Sequence, residues 1–297
     1  MSLEDTFTSW AKGPGTTEQT KCENAESAVR KAIKAHEILS EMDITVFAQG
    51  SYRNRTNVRQ DSDVDICVRL NSTFFTDYPP DTTNEDFGVV DSDVGFAEYK
   101  NTVQEALEAH FGQEAVTRGD KAFNIHENTY RIDADVVPTF EHRRYCVRDD
   151  NTHYYLCGIE FRTDAGIKII NWPNQHYDNG LEKHENTGRR FRKIIRILKR
   201  MRNKMQEEGI DAADNIASCM IESLVWNVPN EAFGHDTYQD DVRDVLAHLF
   251  NNTRTNAECS EWGEVSELKY LFCRGQPWTR DQAHNFISAA WDYVGFE

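Results

Sequence analysis

The sequence predicts an α+β fold in two parts, with strands and helices in residues 1–173 and helices alone in residues 174–297. Short apolar runs with the two-residue period of strands recur as far as residue 173. Beyond that point the apolar residues follow the three- and four-residue spacing of helices. A polar segment, residues 174–186, separates the two patterns. We therefore place a domain boundary between residues 173 and 174.

Length and composition are typical of a globular protein with ample core. The chain has 297 residues, of which 39% are hydrophobic and 28% charged. It contains no apolar stretch of about 18 residues, the length that a membrane span requires. The first residues lack the basic and apolar pattern of a secretory signal, and the seven cysteines are odd in number and scattered. We expect a cytoplasmic protein with reduced thiols and no membrane partner.

The charge distribution argues against a broad nucleic-acid surface. The formal net charge is −17, so no stable complex with DNA or RNA is expected. Residues 187–206 are an exception, because they contain nine Lys or Arg and no Asp or Glu. A local basic segment of this kind suits a compact anion such as a triphosphate.

The first elements alternate between helix and strand. Residues 17–42 have an apolar stripe at helical spacing, which predicts a long structural helix. Residues 44–49 are an apolar run and predict the first strand. Residues 50–58 are expected to form a turn and a short helix, and residues 63–70 a second strand.

The turn and the second strand carry the strongest chemical signal. Asp63 and Asp65 are two residues apart, so on a strand they share one face. Two carboxylates held together repel each other, and a divalent cation such as Mg²⁺ removes that repulsion. The pair Gly50 and Ser51 offers backbone N–H groups to an anion at the start of a short helix. The combination predicts a site for a metal-bound nucleoside triphosphate; the alternative is a solvated acidic turn.

The next segment is predicted to be polar and then helical. Residues 71–95 are rich in acids without an apolar strand, which favours a solvated loop over metal ligands. Residues 96–111 predict a helix that covers the sheet. Residues 116–117 and 122–125 predict short strands joined by a hairpin turn.

A third candidate carboxylate lies on the strand predicted over residues 130–138. Asp133 and Asp135 alternate with apolar residues and so share one face. Two Mg²⁺ ions need more than two carboxylates to hold them, and this strand can supply another. The alternative is an edge strand with exposed acids. A hairpin over residues 145–157 and a strand over 166–170 complete the predicted sheet.

The second part is predicted to be helical. Thr187 is a candidate N-cap for a basic amphipathic helix that continues to residue 206. Three cations lie along one flank of its apolar stripe: Arg192, Arg196 and Lys199. Cations on such a helix are more often solvated than bound to phosphate. Further helices are predicted over residues 216–226, 242–250 and 281–294.

Several motifs resemble a known superfamily. The polymerase-β-like nucleotidyltransferases share the pattern of residues 50–51, 63–66 and 135–138, read as GS, DVDI and DVVP. Residues 171–180 and 190–199, together with the fuller stretch GSYRNRT…SDVDI, resemble the bacterial CD-NTases. These are the cGAS/DncV-like enzymes of CBASS antiphage defence. The resemblance covers roughly residues 15–230.

The resemblance implies a two-lobed fold, a mixed sheet with helices followed by a helical lobe, with the active site between them. It implies two Mg²⁺ ions, with Mn²⁺ as an alternative, and ATP as substrate, with UTP or GTP as further candidates. Asp63, Asp65 and Asp135 match the metal-binding and catalytic carboxylates of the family. Four more positions match its nucleotide-binding residues: Gly50, Ser51, Lys199 and Ser218. Relatives often have Tyr after that serine, where this chain has Cys219.

The implied activity is Mg²⁺-dependent nucleotidyl transfer that releases pyrophosphate and closes a cyclic oligonucleotide, with a cyclic dinucleotide as the leading product. Such a product is a second messenger that a downstream effector senses. Asn171 can present its amide to a pyrimidine, although a cap on the following turn is the simpler interpretation. Two other functions stay open. One is nucleotide transfer to RNA or to a small molecule, and the other is a catalytically silent nucleotide-binding subunit.

Overall fold

The packing of the chain divides it into two units. The computed structural model describes residues 2–59 and 63–297. The first unit, which we call the sheet unit, contains Thr16–Gly50 and Asp63–Pro173. Residues 60–62, which belong to the stretch quoted above, lie outside the described residues.

The second unit, which we call the helical unit, contains residues 2–15, 51–59 and 174–297. Its first two segments precede residue 173 and pack with the helices rather than with the sheet. These units are defined by packing alone and do not test a domain boundary. The boundary between residues 173 and 174 therefore stays a prediction.

The sheet unit contains a seven-stranded mixed sheet, which confirms the predicted α+β class. Its strands are β1 Ile44–Gln49, β2 Val64–Asp77, β3 Val116–Arg118, β4 Phe123–Ile125, β5 Ala134–Val147, β6 His153–Arg162 and β7 Lys168–Asn171. The order is β1-β2-β5-β4-β3, while β6 pairs with β5 and with β7. Strands β2 and β5 are parallel, and the other pairs of described strands are antiparallel.

Nine α-helices occur in the part of the chain that the structure describes. They are α1 Leu3–Trp10, α2 Thr16–Ala35, α3 Gly50–Asn54, α4 Phe96–Phe111, α5 Pro173–Asn186, α6 Phe191–Glu207, α7 Ser218–Trp226, α8 Tyr238–Asn252 and α9 Arg280–Tyr293. None of the helices found in residues 2–59 and 63–297 is both long enough and apolar enough to cross a bilayer.

Helix α4 covers one face of the sheet. The buried Tyr99 donates a hydrogen bond to the Val68 carbonyl at 3.0 Å, and its ring lies 5.4 Å from that of Phe140. Phe140 shares its face of β5 with the buried Val136, so Asp135 projects from the opposite face. The apolar side chains of β2 that alternate with Asp65 are fully buried, as predicted for Val64, Ile66 and Val68.

The helical unit has a core built from α1, α6, α7, α8 and α9. The stripe predicted on α6 is buried there, as shown by Ile194, Leu198 and Met201. Helix α1 was not predicted. Its first turn forms a capping box, because the Ser2 hydroxyl accepts from the Asp5 amide and the Asp5 carboxylate accepts from the Ser2 amide.

Two predicted loop and strand boundaries are wrong. Strand β2 runs on to Asp77, through the first residues of the loop predicted over 71–95. An irregularity in its pairing with β5, between Leu70 and Phe74, interrupts the regular register at the point where the strand was predicted to end. Strand β5 is continuous from Ala134 to Val147 and joins two strands that were predicted separately.

The segment over residues 174–186 is helical, whereas a polar loop was predicted. It shows no apolar stripe because its buried positions include Gly180 and Lys183. Thr187 is not the N-cap of α6, which has Arg190 in that position. The Thr187 hydroxyl nevertheless accepts a hydrogen bond from the Phe191 amide at 3.0 Å.

Candidate active site

A row of polar side chains crosses four strands of the sheet unit. Asp65 of β2 lies opposite Asp135 of β5 in the parallel register. Gln49 of β1 flanks Asp65, and Asn124 of β4 flanks Asp135. Residues opposite each other in a sheet project from the same face, so these four half-buried side chains share one surface. Two of the predicted carboxylates are therefore neighbours.

Gly50 follows β1 and lies against Asp65. Its φ angle is +63°, a left-handed conformation that glycine adopts without penalty. A Cβ atom at this position would lie 2.0 Å from Oδ2 of Asp65 and 2.9 Å from its Cγ. Only glycine leaves room for the Asp65 carboxylate here, which links the predicted turn to the predicted metal ligand.

Within each of the two predicted pairs of acids, the first and second residues have different positions in the structure. Asp63 and Asp133 each lie one residue before their strand begins. The Asp133 carboxylate accepts a hydrogen bond from the Glu127 amide at 2.5 Å, so it fixes the preceding loop. Asp135 accepts from the Asn124 amide group at 3.2 Å and remains on the polar row. The geometry therefore favours Asp135 over Asp133 as the third carboxylate.

As arranged, no three His, Cys, Asp or Glu side chains within residues 2–59 and 63–297 are gathered closely enough to hold a metal ion. The donor set still fits a hard divalent cation, because all three candidates are carboxylates and two of them are neighbours across parallel strands.

Asn171 is the last residue of β7, and its backbone is closely packed. A Cβ atom on Gly158 of β6 would lie 2.8 Å from the Asn171 carbonyl oxygen and 2.8 Å from the Trp172 ring. Trp172 is buried and meets the His142 ring edge-on at 5.3 Å. The position of Asn171 is thus fixed by neighbours within the sheet unit.

Lys199 of α6 is buried in the helical unit, with 2% of its surface exposed. Its Nζ lies 2.6 Å from Oε1 of Glu222 and 3.4 Å from the Thr56 hydroxyl. The structure therefore places this lysine in an ion pair. Its predicted contact with a triphosphate stays a prediction.

Glu222 of α7 is the hub of that cluster, and only 3% of it is exposed. The Thr56 hydroxyl donates to Oε1 at 2.6 Å, and His176 lies 2.9 Å from Oε2. Burial alone would raise the pKa of Glu222. The Lys199 ammonium and the hydrogen bonds from His176 and Lys199 outweigh burial and hold that pKa well below its ordinary value.

The two predicted serines belong to different helices. The Ser51 carbonyl, in α3, accepts from the Thr56 amide at 2.9 Å and from the Asn57 amide at 3.2 Å. Ser218 begins α7, and its hydroxyl accepts from Arg202 at 3.4 Å. Ser51 thus connects to the same segment that contacts Glu222.

The other cations on the flank of α6 bind protein groups or lie buried. Arg196 donates to the Ala11 carbonyl at 2.7 Å and to the Arg55 carbonyl at 2.6 Å. Burial lowers the pKa of Arg196 to about 10. Arg192 is buried, with its guanidinium 5.7 Å from the centre of the Tyr177 ring.

Sequence reasoning missed several residues of these two clusters, among them Asn124, His176 and Glu222. His176 lies inside the motif over residues 171–180, and Glu222 follows Ser218 by one helical turn. Both positions were visible in the sequence. Their pairing was not, because α5 and α7 are separated by α6.

Comparison with known proteins agrees with the motifs. A family model described as the cGAS/DncV-like nucleotidyltransferase C-terminal helical domain matches residues 178–295. A relative from Cecembia lonarensis, named cyclic dipyrimidine nucleotide synthase CdnE, is 44% identical over 99% of this chain and 98% of its own length. A protein of the same name from Legionella pneumophila is 42% identical, with 99% and 98% covered.

A solved structure shares both sequence and fold. The Elizabethkingia meningoseptica CdnE cyclic dinucleotide synthase, solved with GTP and Apcpp, is 33% identical and aligns over 100% of both chains with a TM-score of 0.82. These relatives are cyclic nucleotide synthases by name, which is the activity class predicted from the sequence. The chain therefore belongs to the cGAS/DncV-like nucleotidyltransferases.

Proposed function

We propose that this protein joins two nucleoside triphosphates into a cyclic dinucleotide that contains at least one pyrimidine. The observation that carries the proposal is the pairing of Asp65 with Asp135 across parallel strands, with Gly50 packed against Asp65. This arrangement supplies neighbouring carboxylates on one surface, as a two-metal nucleotidyltransferase requires.

Asp63, Asp65 and Asp135 would hold Mg²⁺, with Mn²⁺ as a substitute of similar ligand preference. Two such ions, when bound, activate an attacking hydroxyl and stabilise the charge on departing pyrophosphate. Asp65 is oriented for this role by its approach to Gly50, and Asp135 by the amide of Asn124. The carboxylates repel one another without a cation, so the ligand set is expected to close on binding.

The reaction joins a ribose hydroxyl of one nucleotide to the α-phosphorus of the other. A new P–O bond forms, the bond to the β-phosphate oxygen breaks, and pyrophosphate leaves. Asp135 accepts the hydroxyl proton. A second round within the linear product closes the ring and releases a second pyrophosphate.

Three residues are proposed to bind the phosphate groups. Ser51, Lys199 and Ser218 are the candidates, and each belongs to a motif of the family. The basic character of α6 supports this assignment. Residues 187–206 contain nine Lys or Arg and no Asp or Glu. Lys199 is held by Glu222 and is therefore positioned before any substrate arrives.

The proposal also specifies a pyrimidine base in the product. The two relatives at 44% and 42% identity are named cyclic dipyrimidine nucleotide synthases. Asn171 supports the same choice, since its amide both donates and accepts and so matches a pyrimidine edge. ATP, UTP, CTP and GTP are all substrates to test, and the Elizabethkingia enzyme was solved with GTP and an analogue.

The biological role follows from the family. The product would act as a second messenger in CBASS antiphage defence, sensed by a separate effector protein. We expect this role in the cytoplasm, without a stable nucleic-acid partner, in keeping with the net charge of −17.

A product assay tests the proposal. The protein is incubated with Mg²⁺ and each NTP alone and in pairs, treated with phosphatase, and analysed by mass spectrometry. The expected result is a phosphatase-resistant dinucleotide with two 3′–5′ or 2′–5′ linkages and pyrimidine in at least one position. A purely purine product would overturn the base assignment, and linear products alone would overturn cyclisation.

A further inference from the structure

We propose that Glu222 is a positioning residue for nucleotide binding, which holds the Lys199 ammonium in place and fixes the segment that follows α3. The inference deepens the proposed function and rests on it, because it concerns the residues that would meet the triphosphate. Glu222 itself touches no substrate in this account and acts through Lys199 and Thr56.

Both carboxylate oxygens of Glu222 contact hydrogen-bonding groups. Oε1 lies 2.6 Å from both the Lys199 ammonium and the Thr56 hydroxyl. Oε2 lies 2.9 Å from His176 and 3.4 Å from the Asn54 amide group. One buried carboxylate therefore joins α5, α6 and the end of α3 within the helical unit.

Lys199 needs a compensating anion because it is buried. With 2% of its surface exposed, its ammonium loses most of its hydration. Glu222 supplies a carboxylate 2.6 Å from Nζ. This contact fixes the direction of the ammonium, and a cation held in place binds a phosphate group more strongly than one that must first be ordered.

Glu222 is also connected, through Thr56, to the predicted anion-binding turn at Gly50 and Ser51. The Thr56 hydroxyl contacts Glu222, and the Thr56 amide donates to the Ser51 carbonyl at 2.9 Å. The Asn57 amide donates to the same carbonyl at 3.2 Å. Losing the carboxylate would therefore loosen the return of the chain to Ser51 as well as Lys199.

Other ionisable groups face this pair. They are His176 from α5, Arg192 from α6 and Cys219 from α7. His176 and Arg192 are cations or potential cations near Glu222, and neither replaces it as an anion beside Lys199. Within residues 2–59 and 63–297, Glu222 is the carboxylate that forms an ion pair with Lys199.

The test uses the full-length Glu222→Gln variant, which keeps the shape and the hydrogen-bond acceptor but removes the charge. Affinity for a non-hydrolysable ATP analogue with Mg²⁺ is measured by calorimetry, together with KM and kcat for product formation. We expect affinity to fall about tenfold or more, because Lys199 loses the carboxylate 2.6 Å from its Nζ. The kcat should change less than KM.

Asp164→Asn is the matched control. Asp164 accepts from Lys100 at 2.8 Å, and Lys100, like Lys199, has 2% of its surface exposed. This variant removes the counter-ion of a buried lysine in the sheet unit. It is expected to lower stability without a change in nucleotide affinity, so it separates positioning from general destabilisation.

A second variant tests whether Glu222 acts through Lys199. In a Lys199→Met background, Glu222→Gln should weaken nucleotide binding by less than about twofold, since the ammonium to be positioned is gone. Unchanged affinity of Glu222→Gln, or an equal loss in Asp164→Asn, would overturn the inference. A wild-type protein that binds nucleotide but makes no cyclic product would overturn only the proposed function.

Discussion

The carboxylates of the sheet unit and those of the helical unit are arranged in opposite ways. Asp65 and Asp135 lie side by side across parallel strands, so like charges are neighbours. Glu222 instead lies 2.6 Å from the ammonium of Lys199 and 2.9 Å from His176. A cation bound by Asp65 and Asp135 would stabilise the first arrangement, and Lys199 and His176 stabilise the second.

This difference separates two kinds of role that one residue type can have. Neighbouring carboxylates cost stability and are retained where they bind something. A balanced buried carboxylate fixes other side chains and contributes to the fold. The same contrast predicts which substitutions abolish activity and which weaken folding or affinity.

The largest effect is expected for Asp65→Asn. It removes a charge from the carboxylate row without changing its size, so nucleotidyl transfer should fall by about a thousandfold or more. Turnover is measured as cyclic product formed at saturating Mg²⁺, and folding by thermal melting.

Asp133→Asn is the control for this substitution, because the Asp133 carboxylate binds the Glu127 amide rather than lying on the row. It should keep turnover within about threefold of the wild type. Equal losses in the two variants would contradict the assignment of the row as the metal site.

The next largest effect is expected for Gly50→Ala. The new methyl group would meet the Asp65 carboxylate at 2.0 Å, so the row must distort and turnover should fall by about a hundredfold. Gly88→Ala is the matched control, because Gly88 has the same φ of +63° but no atom within 4 Å of the added Cβ.

Gly88→Ala should therefore show only the backbone cost of a left-handed alanine, about 1 kcal/mol of unfolding free energy. Turnover is compared with unfolding by denaturant for both variants. If Gly50→Ala behaves like Gly88→Ala in both measurements, the close approach to Asp65 has no functional consequence.

A smaller effect on activity and a larger one on stability are expected for Glu222→Gln. Removing one member of a buried ion pair should cost about 3 to 5 kcal/mol of unfolding free energy at pH 7. The folded-state pKa of Glu222 is depressed, so the wild-type advantage is present above the unfolded value of about 4.3. It should shrink as the pH falls below that value.

Denaturant unfolding of the wild type and of Glu222→Gln at pH 7 and pH 3.5 measures this change. The difference between the two proteins should be smaller at pH 3.5. A difference that is constant or grows in acid would show that Glu222 is not ionised in the folded protein.

The smallest effect is expected for Asn171→Ala. Total turnover should stay within about tenfold, while the ratio of pyrimidine to purine in the product falls by about tenfold, the value of one or two lost hydrogen bonds. Mass spectrometry of products from an equimolar NTP mixture measures this ratio. An unchanged ratio would leave Asn171 with its structural role at the end of β7.

The sequence was informative where local pattern and chemistry coincide. Asp63, Asp65, Asp135 and Gly50 lie beside apolar strands whose two-residue period is plain, and the structure pairs Asp65 with Asp135. Helix α5 could not be predicted in this way. Its buried polar residues are satisfied by distant partners, such as the Val228 carbonyl that accepts from Lys183 at 2.7 Å.

The Glu222 cluster was hidden for the same reason. Its members come from residues 54–56, 176, 199 and 222, and no local period relates them. Helix α1 is a different case, because the Ser2 and Asp5 capping box was present in the sequence and could have identified its start.

The most direct test of the central claim compares the wild type with Asp65→Asn in one product assay. Both proteins are incubated with Mg²⁺ and α-labelled NTPs, treated with phosphatase, and resolved by mass spectrometry. We predict a phosphatase-resistant cyclic dinucleotide containing pyrimidine from the wild type and none from Asp65→Asn. The same cyclic product from both proteins would contradict the assignment of the carboxylate row as the catalytic centre.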